Sequence, residues 1–181
     1  MKFECIQTAL KMAVLIASHI CMIISAVFIA DIGGFVADSQ THTTGCRDNW
    51  VAYDGSCYLF VHHNYSFTEA AHFCQIHESH LVHVDSALEN AFIKDRVRYI
   101  IGPLERWWIG LTDEIVEGDW RWLDTDIKPA YTDWNPGEPN NSGGENCGVL
   151  QVTAWNDVPC SQSYRPICEK RGENVENEIL G

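Results

Sequence analysis

The chain has 181 residues and a formal net charge of −13, from 12 Lys and Arg against 25 Asp and Glu. That length holds one domain plus extensions. So acidic a balance excludes a nucleic-acid binder, which needs a basic patch. Seven tryptophans point to a compact core filled by large rings.

Residues 1–30 carry Lys2 and Lys11 and then an apolar run from Met12 to Ala30. The run is long for a signal-peptide core of about 7–15 residues and close to the roughly 20 that span a bilayer. We read a cleaved signal peptide, with an uncleaved membrane anchor as the alternative. Both place the remainder in an oxidising, extracellular compartment. Residues 31–45 show neither helical nor strand periodicity and read as a short stem.

The domain is expected over 46–170. Six cysteines lie beyond the apolar segment, at 46, 57, 74, 147, 160 and 168. An even number behind an export signal reads as three disulfides, and six cysteines alone allow about 15 connectivities. Cys46 and Cys57 bracket two β-prone runs joined by Asp54-Gly55, a hairpin signal. Tyr58–Val61 continues as a strand. Asn64-Tyr65-Ser66 is a glycosylation sequon.

Two helices follow. Ser66 and Glu69 form a capping box for a helix over Ser66–Glu78, with Ala70, Phe73, Cys74 and His77 on one face. Ser86 and Glu89 start a second helix that runs to about Ile100, with an apolar stripe of Leu88, Ala91, Phe92 and Val97; Gly102-Pro103 ends it. The intervening His72, His77, His80 and His83 cross a helix end, and no carboxylate or cysteine completes a defined zinc set. They read as packed or solvated histidines.

From Trp107 the pattern turns to β. Trp107–Leu111 is an apolar, central-strand run, and Asp119–Asp124 alternates as a half-buried strand. Between them a turn carries Asp113, Glu114 and Glu117. Gly148–Val152 and Arg165–Glu169 complete the strands, and residues 171–181 read as a frayed acidic tail. Residues 124–147 form a loop of a length that compact domains rarely keep without a function.

That loop and the segment after it concentrate oxygen donors: Glu138, Asn140, Glu145, Asn156 and Asp157. Such a set, with no thiolate or imidazole among it, suits calcium, which takes about 6–8 oxygen ligands; the competing reading is an acidic surface loop. Glu138 only accepts hydrogen bonds while the Asn140 amide donates them. A ligand with two adjacent hydroxyls would find an acceptor, a donor and an ion in one place.

The motifs Trp108-Ile109-Gly110-Leu111, Glu138-Pro139-Asn140 and Trp155-Asn156-Asp157, with cysteines 74, 147, 160 and 168, resemble the C-type lectin domain family over about 46–170. The resemblance implies an α+β fold of two helices with small antiparallel sheets beneath a long calcium-binding loop. It implies the pairings Cys74–Cys168 and Cys147–Cys160, with Cys46–Cys57 marking the long form of the domain. It implies a principal calcium held by Glu138, Asn140, Glu145, Asn156 and Asp157, the last also through its backbone carbonyl, with sugar hydroxyls meeting Glu138, Asn140, Glu145 and Asn156. A second calcium site maps to Asp113, Glu117, Glu145, Asn141 and Asn146. Asn141 and Asn146 stand where carboxylates are usual, which weakens that site. A cis bond before Pro139 is also implied.

Glu138-Pro139-Asn140 resembles the mannose-type signature, shared by mannose, fucose, N-acetylglucosamine and glucose, rather than the Gln-Pro-Asp form associated with galactose. Asn140-Asn141-Ser142 is formally a sequon, expected to escape modification. The expectation is a secreted, glycan-binding, calcium-dependent lectin without catalysis, oligomeric if avidity is needed. The alternatives are a protein- or mineral-binding domain of the same fold, and a membrane-anchored receptor.

Overall fold

A computed structural model describes residues 44–100, 102 and 105–174. The apolar segment 1–30, the stem up to residue 43 and the tail from residue 175 lie outside the described residues. Among the described residues, no helix is long and apolar enough to cross a membrane.

The elements in chain order are β1 (Thr44–Gly45), β2 (Val51–Tyr53), β3 (Ser56–Phe60), α1 (Phe67–Ile76), β4 (His80–Leu81), α2 (Ala87–Ile100), β5 (Trp107–Thr112), β6 (Arg121–Trp122), β7 (Cys147–Leu150), β8 (Trp155–Val158), β9 (Arg165–Arg171) and β10 (Glu173–Asn174). The architecture is α+β. The main sheet runs β2-β3-β9-β5-β7-β8, with β4 on β9 and β6 on β5.

The hairpin β2–β3 turns at Asp54-Gly55, both at positive φ, and Val51 faces Tyr58 across it. α1 starts where Glu69 Oε2 accepts from the Ser66 backbone N–H at 2.9 Å and from its hydroxyl at 2.7 Å. It ends as Glu78 enters the left-handed region and the Ser79 N–H returns to the Cys74 carbonyl. Phe67, Ala70 and Cys74 form its buried face. The three disulfides join Cys46–Cys57, Cys74–Cys168 and Cys147–Cys160.

Four expectations are corrected. The buried face of α2 is Asn90, Ile93 and Val97, while Leu88 is 76% exposed. A polar residue, Asn90, occupies one position of that face. Asp119–Asp124 pairs only through Arg121–Trp122. A turn follows, where the Asp126 N–H bonds the Trp122 carbonyl and Asp126 takes φ 59°. The strand expected over Gly148–Val152 is Cys147–Leu150, and it is followed by a strand of its own, β8, that carries the Trp155-Asn156-Asp157 motif. The sheet is not wholly antiparallel. β5 and β9 run parallel, Trp107 beside Arg165, because the long loop and the β7–β8 hairpin supply the crossover that parallel neighbours require. Outside the span 46–170, β1 pairs with β10 in a second, two-stranded sheet.

The core lies on both faces of β5, every residue of which is buried. Trp107, Ile109 and Leu111 join Trp120, Trp122 and Trp155 on one side; Trp108 packs on the other with Phe67, Cys74 and Cys168. Gly110 sits at the centre because a Cβ there would come within 2.8 Å of the Leu81 carbonyl oxygen.

Candidate functional site

Residues 123–146 contain no strand or helix, apart from one isolated bridge between Trp134 and Trp155. Side chains from the core hold this stretch. The Asp133 carbonyl accepts from the Trp155 N–H, and the Asn135 N–H donates to the Trp155 carbonyl. Trp134 meets Trp120 and Trp155 edge-on, with centroids 4.9 and 5.9 Å away. From α2, the Asn90 amide donates to Tyr131 Oη at 3.1 Å and Asp133 Oδ2 at 2.8 Å, while its oxygen accepts from Trp155 Nε1 at 3.0 Å. Lys94 pairs with the same Asp133.

Asn90 is 5% exposed and has no place in any local motif, so nothing in the sequence marks it. Because its loss orphans the buried indole N–H of Trp155, Asn90→Ala is expected to cost about 1–3 kcal/mol in urea unfolding. A cost below about 0.5 kcal/mol would show that the loop base is not held through it.

Above this base the sequence-predicted ligands gather. Asp157 lies in β8, opposite Gly148 of β7, and is fully buried. Its Oδ2 accepts the N–H groups of Asn140 and Asn141 at 2.9 and 2.7 Å. Asp157 thereby ties the Glu138-Pro139-Asn140 turn to the sheet. Its Oδ1 and the Oε2 of Glu138 are shut off from solvent and have no hydrogen-bond partner. The bond between Glu138 and Pro139 is cis.

Glu145 Oε2 and Asn140 Oδ1 both accept from the Ser142 N–H, at 3.2 and 2.8 Å. Asn156 Nδ2 lies 2.6 Å from the Asp157 carbonyl. Turning that amide by half a revolution, a change of assignment rather than of shape, would set the Asn156 oxygen beside the carbonyl.

The electrostatics are those of a site short of positive charge. Burial raises the Glu138 carboxyl above its ordinary range, Asp157 and Glu145 raise it further, and the Asn140 backbone N–H pulls the other way. Among the described residues, no Lys or Arg forms an ion pair with Glu138, Glu145 or Asp157. Orphaned carboxylate oxygens, an all-oxygen donor set and no cation from the chain fit a calcium ion. Exposure grades from buried Asp157 through half-buried Glu138, Glu145 and Asn156 to exposed Asn140. The cluster therefore opens as a shallow rim rather than a deep cleft.

Neighbouring this cluster, Asp113 is buried, with Oδ2 accepting from the Gly118 N–H at 2.8 Å and Oδ1 unpartnered, as is Asn146 Oδ1. Asn141, at φ 49°, donates to Glu117 Oε2 at 2.5 Å and accepts from the Glu145 N–H at 2.8 Å. Both ends of its amide are used, so the two loops are pinned by hydrogen bonds from Asn141. Hydrogen bonds thus link Asn140 and Asn141 to Asp157, and Asn141 to Glu117 and Glu145. The sequon Asn64 is exposed at the foot of α1.

Three disulfides, a β-framed long loop and an oxygen-only cluster around a cis proline define a C-type carbohydrate-recognition domain. The chain belongs to this family: the model of the lectin C-type domain matches residues 63–170. Rat asialoglycoprotein receptor 1 is 40% identical over 132 residues, 68% of this chain and 44% of the receptor. Chicken hepatic lectin is 40% identical over 137 residues, 74% of this chain and 64% of the lectin. The mouse scavenger receptor C-type lectin carbohydrate-recognition domain superposes with a TM-score of 0.66 at 37% identity, covering 71% of this chain and all of that one. The chain spans less than half the length of the rat receptor and under two thirds of the chicken lectin. The family binds carbohydrate and does no covalent chemistry.

Proposed function

We propose that this domain binds mannose-type glycans through a calcium ion held by Glu138, Asn140, Glu145, Asn156 and Asp157. The carrying observation is the pair of buried, partnerless carboxylate oxygens on Glu138 and Asp157, directly behind an exposed Asn140. When bound, the ion supplies coordination sites for two sugar hydroxyls. The protein supplies the rest. Glu138 and Glu145 accept hydroxyl protons, and Asn140 and Asn156 donate to hydroxyl oxygens. Asp157 fixes the turn that presents them.

The acceptor–donor order of Glu138 and Asn140 favours the hydroxyl pair of mannose, fucose, N-acetylglucosamine and glucose. An open rim buries little surface, so one site should bind a monosaccharide only at about millimolar strength, and several domains would be needed for avidity. Retention of the refolded domain on immobilised mannose tests the reading. Loss in chelator, with mannose competing better than galactose, is expected; equal competition by galactose would overturn the preference.

Acid should release the ion. Glu138 in the folded chain holds its proton to higher pH than an unfolded glutamate, which ionises near ~4.3. Between those values the folded chain carries more protons, so without a cation this group lowers stability as pH rises. Calcium takes the proton's place, and the sign reverses. The calcium-dependent rise in melting temperature should therefore begin to shrink above pH ~4.3 on acidification. A shift that stays constant down to about pH 4 would contradict the site.

We further propose that the second group, Asp113, Glu117, Glu145, Asn141 and Asn146, binds calcium weakly, because the Asn141 amide already joins Glu117 to the Glu145 backbone. Asn141→Asp keeps a residue that tolerates positive φ but sets two carboxylates face to face. Calorimetry should then show the second ion binding about tenfold more tightly; an unchanged isotherm would argue against the assignment.

Residues 1–30 are proposed as a cleaved signal peptide of a secreted protein. Intact mass of the mature product decides, and a mass that includes them would instead support the membrane anchor.

A further inference from the structure

A second constellation of metal-ligating groups lies apart from the nine residues of the oxygen cluster. Asp124, at the start of the long loop, comes against His80 of β4 and His83 just beyond it. Ligating atoms of the three lie within 4.8 Å of one another. His83 Nε2 is 2.5 Å from Asp124 Oδ1, and His80 Nδ1 is 4.0 Å from Asp124 Oδ2. The two imidazoles stand 4.4 Å apart, centroid to centroid. The remaining acid–cysteine grouping, Glu114 with Cys147 and Cys160, has no thiolate to offer because its sulfurs are bonded to each other.

We propose that His80, His83 and Asp124 form a zinc site. Two imidazoles and one carboxylate are the donor set of a borderline transition ion and not of calcium, which takes oxygen alone. The backbone that carries them is clamped. His80 faces Glu169 across the β4–β9 pair. The Val82 N–H donates to the Ile167 carbonyl, and the Leu123 N–H to the Gly110 carbonyl. His83 is held face-on against Trp122, with centroids 4.6 Å apart, and its side chain is 13% exposed.

Ligands on a tetrahedral zinc sit about 3.3 Å apart, given metal–ligand bonds near 2.0–2.1 Å. The His83–Asp124 contact opens and the His80–Asp124 contact closes on loading, starting from ligand atoms that already lie within 4.8 Å of one another. His80 Nδ1 now meets the Leu81 carbonyl at 2.9 Å, and loading turns the ring off that contact. His80 and Asp124 also border a groove lined by Thr68, Ala71, His72 and Gln75, which leaves the open side of the ion to water or to His72. The bound ion fastens the base of the 124–146 loop to the sheet, without touching the oxygen cluster.

The test uses the untagged chain in saturating calcium, titrated with zinc chloride by calorimetry and with cobalt(II) by visible absorption. One equivalent of zinc is expected, displacing cobalt whose ligand-field bands report nitrogen ligation. His83→Gln and Asp124→Asn should each weaken zinc at least tenfold, since even residues behind a metal ligand are worth about 10–100-fold. Near- and far-UV circular dichroism should be unchanged in both variants, which shows that they remain folded. Absence of saturable zinc binding, or binding that survives both substitutions, would overturn the site. Sugar retention plays no part in the readout, so this inference stands or falls apart from the lectin reading.

Discussion

Glu138→Gln combined with Asn140→Asp is expected to move retention from mannose to galactose by about tenfold, roughly 1.4 kcal/mol. The double change keeps an oxygen ligand and the total charge at both positions. What it exchanges is the side on which a hydroxyl proton is accepted and the side from which one is donated. Asp157→Asn should do more, abolishing calcium and sugar binding together, with a loss of about 100-fold or greater. Oδ2 of Asp157 receives two backbone N–H groups, and Oδ1 is the orphan facing the cluster. An amide nitrogen at either position sets donor against donor, or donor against cation. Competition assays on immobilised sugar, paired with calorimetry for the ion, measure both effects. A swapped variant that still prefers mannose would sink the donor–acceptor account, and an Asp157→Asn variant with normal calcium affinity would sink the ion.

Removing Cys74–Cys168 is the second large effect. The bridge joins α1 to the middle of β9 across 94 residues, with both cysteines fully buried. Closing so long a loop restricts the unfolded chain by about 4.7 kcal/mol in the chain-entropy account, against about 3 kcal/mol for a loop near 15 residues. Cys46–Cys57 and Cys147–Cys160 close separations of 11 and 13 residues. Urea midpoints should therefore fall furthest for Cys74→Ala with Cys168→Ala, by a large share of the stability of a domain of this size. Equal losses for all three double variants would show that local packing at each bridge, not loop length, sets its contribution.

The sequence by itself determined whatever depends on neighbours along the chain. The Ser66–Glu69 pair announced α1, Asp54-Gly55 the first hairpin, and the length and composition of 124–147 a loop with a task. The oxygen-bearing residues of that loop and of Trp155-Asn156-Asp157 were legible as one chemical type. Which cysteines pair came from the family resemblance, since spacing alone leaves the connectivity open.

Tertiary structure decided what needs partners far apart in sequence. Asn90 carries no local signal, and Tyr131, Asp133 and Trp155 close around it from 41 to 65 residues away. His83 lacked a third ligand until Asp124, 41 residues on, was folded against it. The parallel pairing of β5 with β9 and the closure of β1 on β10 likewise have no local signal. The physical reason is common to all four. A hydrogen bond or ion contact formed across the fold is selected by burial and packing of the whole core, which leaves no periodic imprint on the residues that make it.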